Sequence, residues 1–482
     1  MARMPRLRPG LVLAALTLTL SVALPHAQER PPFQTDFPAA ELAQRRTRVM
    51  DAIGPGGLAV VQGAAGVDGF HVFRQSNEFY YLTGLETPHA YLVIDGRARR
   101  STLFLTPRNE GLERNAGAMW AAEDAADVRR LTGVEAVAPV DQLSRQTFTS
   151  RLREPYPTLF VPLAPAEGEV QSRDERLSHE AGVAADPWDG QPSREAHFLR
   201  LLADRYPALA RRDLTPILDL LRATKSEREL ALIRQASVLA GLGLLEAMRS
   251  TKPGVHEYEA AAVARFTFLA NGARYEGYNP IAGGGTNAWF GHYSRNLDPL
   301  KAGDMLLMDY APDLRYYTSD VTRMWPVSGR YTPEQRTLAS FVLAYREAFF
   351  RHIKAGVTPE QVLVQARDEM RPVFEKTRFA NDAHRKAAEA MLTFRGHLQH
   401  HVGMTVHDPG TIWGQPFREG QVFTVDPMMW IPEEKLYVRM EDTVLVTRDG
   451  IENFTASLAS TPDQIEAAMP GDGILSRVAR LP

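Results

Sequence analysis

Four carboxylates in the second half of the chain stand where an apolar strand would otherwise run on. Asp309 closes MLLMD, Asp320 follows eleven residues later, Asp426 ends VFTVD, and Glu441 interrupts YVRMEDTVLV. A carboxylate is costly to bury unless it is paired, hydrogen-bonded or bound to a metal. A fold that uses these strands as core must therefore supply each buried carboxylate with a partner. Stretches 305–311 and 316–327 are separated by the turn signal Pro312-Asp313-Leu314-Arg315 and read as a hairpin with Asp309 and Asp320 across it. On its own that pair fits equally a solvated hairpin, or carboxyls capped by Tyr316 or Tyr317. Two further strands are expected over 421–430 and 437–447. A period of two puts Arg439, Glu441 and Thr443 on one face of the last, and Val438 and Met440 on the other, so Glu441 lies beside an arginine that can orient it.

Nitrogen donors are concentrated nearby. GHLQHHVGMTVHD holds His397, His400, His401 and His407, four of the 13 histidines, and His292 follows the run Gly283-Gly284-Gly285. Each taken singly reads as an ordinary surface or core histidine, and spacing does not choose among them. The chain has no cysteine, which excludes thiolate metal sites, disulfides and cysteine nucleophiles. Four carboxylates and an imidazole make an oxygen-rich site suited to manganese, cobalt or zinc, and able to hold two ions if carboxylates bridge.

Of 482 residues, 44% are apolar and 23% charged, which excludes disorder and coiled coil. A formal net charge of -3 offers no basic surface for nucleic acid. Arg3, Arg6 and Arg8 precede an apolar run over 11–24 that ends in PHAQE, the layout of a secretory leader cut after Ala27. That run is shorter than the roughly 20 residues of a spanning helix. The reading is an exported protein, periplasmic or secreted, with no stable membrane contact once 1–27 are removed. No other segment reads as long and apolar enough to cross a bilayer.

Residues 28–221 alternate short apolar runs, such as GLAVVQG, AYLVIDG and STLFLTP, with helical stretches, the pattern of an α/β domain. Within it, the polar, Gly- and Pro-containing stretch 167–192 reads as an exposed loop. At Ser226 the texture changes: Ser226 and Glu229 form a capping box ahead of the amphipathic ERELALIRQASVLAGLGLLEAM. A second domain is assigned to 222–470 and a tail to 471–482. A helix is expected over 255–271, and Thr-Pro-Glu-Gln opens two more at Thr332 and Thr358, with Thr as cap and Pro in the first turn.

Taken in order, these segments resemble the pita-bread metallopeptidases, specifically the aminopeptidase P and prolidase branch, whose dimetal ligands run Asp, Asp, His, Glu, Glu. MDYAPDLRYYTSDVTRMWPVSG is similar to the segment with the first two ligands and assigns Asp309 and Asp320. HHVGMTVHD is similar to the histidine segment and assigns His400 as ligand and His407 as a substrate-side histidine. REGQVFTVDP is similar to the segment that usually ends in Glu-Pro, and VRMEDTVLVT to that of the last ligand, Glu441, preceded by Arg439. His292 stands where the family has its other substrate histidine. FRQSNEFYYLTGLETPHAYLVI resembles part of the aminopeptidase P amino-terminal domain, LRATKSERELALIRQAS the start of the catalytic domain, and STPDQIEAAM its close.

The resemblance implies an α+β chain: an α/β, creatinase-like amino-terminal domain followed by a pita-bread catalytic domain. It implies two divalent ions, manganese first with zinc or cobalt as alternatives, on Asp309, Asp320, His400, Asp426 and Glu441. The implied reaction is hydrolysis of the Xaa-Pro bond in peptides with proline second. Asp426 would also accept the proton of the attacking water, His407 or His292 would donate to the oxyanion, and Arg439 would support Glu441. Members commonly form dimers or tetramers, so a homo-oligomer is expected. Asp426 departs from the family's Glu by one methylene, and Gly396 stands where His is common, with His397 one place later. The shortened ligand leaves two other readings open: a lyase or hydrolase of this fold acting on a small carboxylate, and a peptide-binding module with a degraded metal site.

Overall fold

In the computed structural model, which describes residues 31–66, 71–149, 158–168 and 170–479, the apolar runs of the first domain pair into one six-stranded sheet. The leader expected over 1–27, and residues 480–482 of the expected tail, lie outside the described residues. Gly57–Gln62, Tyr91–Asp95 and Arg100–Leu105 pair antiparallel in that order, and Ala136–Pro139, Thr158–Val161 and Ala210–Asp213 extend the sheet with parallel pairings. Alternation along the strands sends Ala59, Val61, Leu92 and Ile94 into one core and Leu58, Val60, Val93 and Phe104 into another, so both faces of the sheet are covered.

Residues 167–192 are not simply a loop. Ser172 caps the helix Arg173–Ala185, with Glu175 accepting from the Ser172 N–H. This helix buries only Arg173. It therefore shows no apolar periodicity, and charge pairs of Arg173 with Glu78 and Asp219 hold its first turn instead.

The expected boundary at 221–222 falls within the helix Thr215–Ala223. Ser226 then opens Glu227–Ser250, and Thr332 and Thr358 open Pro333–His352 and Pro359–Lys376, each through the expected capping box. The helix expected over 255–271 is Glu257–Ala270. By length and composition alone, Glu227–Ser250 is apolar enough to cross a membrane, which corrects the expectation that only the leader region approaches this. It serves as a core helix: Ile233, Ala240 and Leu244 are fully buried. Its Gly243 faces Phe268 of the next helix so closely that a Cβ would meet the ring at 2.3 Å.

The strands expected to carry carboxylates all stop at them. Met305–Asp309 and Thr322–Pro326 pair antiparallel with Asp309 opposite Thr322. Their connection is longer than a tight turn: Pro312-Asp313 pairs with Tyr275-Glu276, and Arg315 and Tyr316 adopt positive φ, which leaves Asp320 just ahead of its strand. The stretch 421–430 is two strands, Val422–Val425 and Met428–Ile431, broken at Asp426 and at Pro427, which has no N–H to offer a ladder. The stretch 437–447 is likewise Leu436–Arg439 and Asp442–Val446, broken at Met440 and Glu441. In both cases the chain changes sheets at the break, and an acidic side chain sits at the crossing.

Candidate active site

These breaks converge on a cavity of about 460 Å³ lined by Asp309, Asp320, His400, Asp426 and Arg439, with His292 and His407. Glu441 is buried against Arg439. Among the described residues, one ligand atom from each of Asp320, His400 and Glu441 lies within 4.8 Å of the other two. His400 Nε2 is 3.5 Å from Asp320 Oδ2. Arg439 gathers the rest: Nη2 is 2.5 Å from Glu441 Oε2 and 3.0 Å from Asp309 Oδ2, and Nε donates to Asp426 Oδ1 at 3.0 Å. The arginine expected to orient Glu441 thus spans three of the four carboxylates.

Asp309, Asp320, Asp426 and Glu441 are between 0% and 3% exposed. Four carboxylates against one guanidinium leave three formal negative charges buried together. Burial, and then repulsion from Glu441 and Asp309, pushes Asp320 well above the usual carboxylate range. Burial does the same to Glu441, and raises Asp426 to about 6 against the pull of Arg439. Burial opposes the charge of Arg439, but Asp426, Glu441 and Asp309 outweigh it and hold the guanidinium well above its usual value. Glu441 Oε1 is buried with no hydrogen-bond partner. An uncancelled negative charge, an orphaned carboxylate oxygen and a neighbouring imidazole form a donor set suited to divalent cations. Desolvation holds His400 well below its usual value, in the neutral form that ligates metal.

The histidine segment sorts by environment. His397 is a core residue: its Nε2 bonds to the Met391 carbonyl at 2.8 Å, Nδ1 accepts from the Met428 N–H at 3.2 Å, and its ring packs edge-on against Phe394. His401 is buried, with Nδ1 on the Val422 carbonyl. His400 and His407 both reach the cavity, their ring centroids 4.1 Å apart, and His292 approaches from an exposed loop with its centroid 6.2 Å from that of His407.

Several residues of the site carried no signal in the sequence. Tyr278 places its hydroxyl 2.6 Å from Asp309 Oδ1 and 3.0 Å from Asp320 Oδ1. Burial, then those two carboxylates, keeps it protonated as a donor. Gln399 Nε2 donates to Asp426 Oδ2 at 2.5 Å. Thr443, which the period of two had placed on the Glu441 face, accepts from the Asp320 N–H at 2.9 Å. Along one wall Tyr437 stacks on Trp430 and Phe394 meets Trp430 edge-on, each pair with ring centroids 5.0 Å apart. Glu175, from the helix of the first domain, also lines the cavity.

Residues 231–448 match the family described as Metallopeptidase family M24, and residues 42–155 match Aminopeptidase P, N-terminal domain. The chain belongs to the aminopeptidase P branch of family M24. Over 461 residues it is 29% identical to the Xaa-Pro aminopeptidase of Escherichia coli (strain K12), covering 89% of this chain and 97% of that one. A Haemophilus influenzae Xaa-Pro aminopeptidase is 27% identical, with 91% and 99% covered. The structure of aminopeptidase P from E. coli with the inhibitor Pro-Leu is similar at TM-score 0.72 and 25% identity, covering 90% of this chain and 98% of that one. Proline aminopeptidase P II from Yersinia pestis gives 0.70 and 26%, with 90% and 99% covered. The architecture is that of aminopeptidase P, an α/β first domain and a pita-bread second, and by family the chain is a metallo-aminopeptidase. The helix Arg173–Ala185, which brings Glu175 to the cavity, falls between the two matched segments.

Proposed function

We propose that this aminopeptidase P relative hydrolyses the bond between the first residue and a following proline in peptides of three or more residues, using two divalent cations, manganese before zinc or cobalt. The observation that carries the reading is the grouping of Asp320, His400 and Glu441 with the Arg439-bound Asp309 and Asp426 around one cavity. Asp309 would serve one ion, His400 and Asp426 the other, and Asp320 and Glu441 both. Four carboxylates and an imidazole supply donors for two ions where carboxylates bridge, which supports a pair. Bound divalent ions acidify a water and polarise the peptide carbonyl.

The protein's own groups supply the rest. Asp426, held by Arg439 Nε and Gln399 Nε2, is placed to take the proton of the attacking water and pass it to the leaving proline nitrogen. His407 and His292, on the cavity wall, are placed to hydrogen-bond the carbonyl oxygen as it gains charge. Tyr278 and Arg439 keep the carboxylates in register. Trp430 and Tyr437 offer apolar faces to the proline ring. Among the described residues lining the cavity, the one Lys or Arg is Arg439, which three carboxylates occupy, and Glu175 adds a negative charge. A dipeptide's terminal carboxylate would find no free guanidinium or ammonium group there, which favours longer peptides.

The leader supports export to the periplasm or beyond. A dimer or tetramer is the proposed assembly, with exposed Val238 and Leu242 on one helix and Leu269 on the helix packed against it as apolar surface for a second copy. Elemental analysis of the purified protein after gel filtration tests the metal reading. Two ions per chain, lost in Asp320→Ala together with activity, are expected; a chain that retains no metal would instead fit a binding module.

A further inference from the structure

We propose that Asp174 is a positioning residue for His407, so that the first domain supplies part of the active site; this rests on the peptidase reading for its effect on turnover. Two neighbouring residues of the first domain grip the same histidine. Asp174 Oδ2 lies 2.7 Å from His407 Nδ1, and Ser172 Oγ accepts from the His407 N–H at 3.1 Å. With Nδ1 engaged, Nε2 is the nitrogen the ring presents to the cavity.

The grip is anchored from below. Ser172 is 1% exposed and closes the capping box with Glu175. Arg173, between Ser172 and Asp174, pairs with Glu78 at 2.7 Å and with Asp219 at 2.5 Å. The residue after His407 is fixed as well: Asp408 bonds Arg222 Nη2 at 2.6 Å and Lys225 Nζ at 2.7 Å. His407 is therefore held by one charge network, in which Glu78 and Glu167 pair with both Arg173 and Arg222, and the 167–225 segment that carries most of it lies wholly outside the matched family segments. Asp174 itself is 61% exposed, and an ion pair that open to water contributes little to stability. Its contribution is to orientation, so its loss belongs in kcat and not in the melting temperature. This is the role that outer-sphere carboxylates play for metal-site histidines, where removal costs about 10–100-fold.

The test is a double-mutant cycle on an Xaa-Pro tripeptide, together with histidine ¹⁵N NMR of the zinc-loaded protein, zinc being diamagnetic. Asp174→Ala is expected to lower kcat about tenfold with KM and melting temperature unchanged, Asp174→Asn to recover most of the loss, and Asp174→Ala to cost nothing further in a His407→Ala background. In the spectrum, Asp174→Ala should move the Nδ1 signal that His407→Ala removes. An equal loss in the His407→Ala background, or an unmoved His407 signal, overturns the proposal. If the unmodified protein cleaves no Xaa-Pro peptide, the functional reading fails, and the NMR signal still decides whether Asp174 holds His407.

Discussion

Thr322 holds Glu441 at two points: its carbonyl accepts from the Glu441 N–H at 3.1 Å, and its hydroxyl donates to Glu441 Oε2 at 2.9 Å. Because Thr322 pairs with Asp309 on its other side, this clasp ties the sheet carrying Asp309 to the strand break that carries Glu441. Thr322→Val keeps the shape and the backbone bond but removes the hydroxyl. The expected outcome is a folded protein whose metal affinity falls about 10–100-fold, measured by competition with a chelator of known affinity. Unchanged affinity would mean that the backbone bond alone sets the carboxylate.

Asp426 is fully buried, with Arg439 on one oxygen and Gln399 on the other. Lengthening the side chain by Asp426→Glu pushes an extra methylene toward Gln399, and overpacking of this kind typically costs about 1–3 kcal/mol. The single variant is therefore expected to melt lower without gaining activity, and Asp426→Glu with Gln399→Ala to recover stability and match or exceed the parent turnover. Thermal melts and initial rates on one Xaa-Pro tripeptide check both. A fully active and stable single variant would show that Gln399 does not fill that space.

Acid sensitivity follows from two buried histidines. Burial holds His397 and His401 down to about 4, against about 6.5 in an unfolded chain. Between those values the unfolded chain binds more protons than the folded one, so stability rises with pH across the window. It is complete above about 6.5 and lost as pH falls toward 4, by roughly 3 kcal/mol for each histidine. Urea unfolding at pH 7.5, 6 and 5 should show the loss, and His397→Gln should flatten it. An identical slope in that variant would remove His397 from the account.

What could be read from the sequence was local or anomalous. The caps at Ser226, Thr332 and Thr358 are set by residues three apart, and the structure places each helix start there. Asp309, Asp320, Asp426 and Glu441 drew attention because carboxylates in apolar runs demand partners, and the family resemblance singled out His400 from its neighbours. What could not be read depends on distant contacts. VFTVDPMMW and YVRMEDTVLV look like unbroken strands until Glu441 pairs with Thr322 and the chain changes sheets. Tyr278 lies in YEGYNP with no apolar pattern around it. The helix Arg173–Ala185 shows no stripe because its attachment is ionic, so the contribution of Asp174 and Glu175 to the cavity appears only in three dimensions.

The most direct test of the central claim is cleavage of a peptide panel by the chain from residue 28 onward, supplied with Mn²⁺: Xaa-Pro dipeptides, Xaa-Pro tripeptides and tripeptides without proline. The expected result is release of the first residue from the Xaa-Pro tripeptides, weaker cleavage of the dipeptides, and none of the controls. Cleavage of no peptide, or of the controls as readily as the proline peptides, would contradict it.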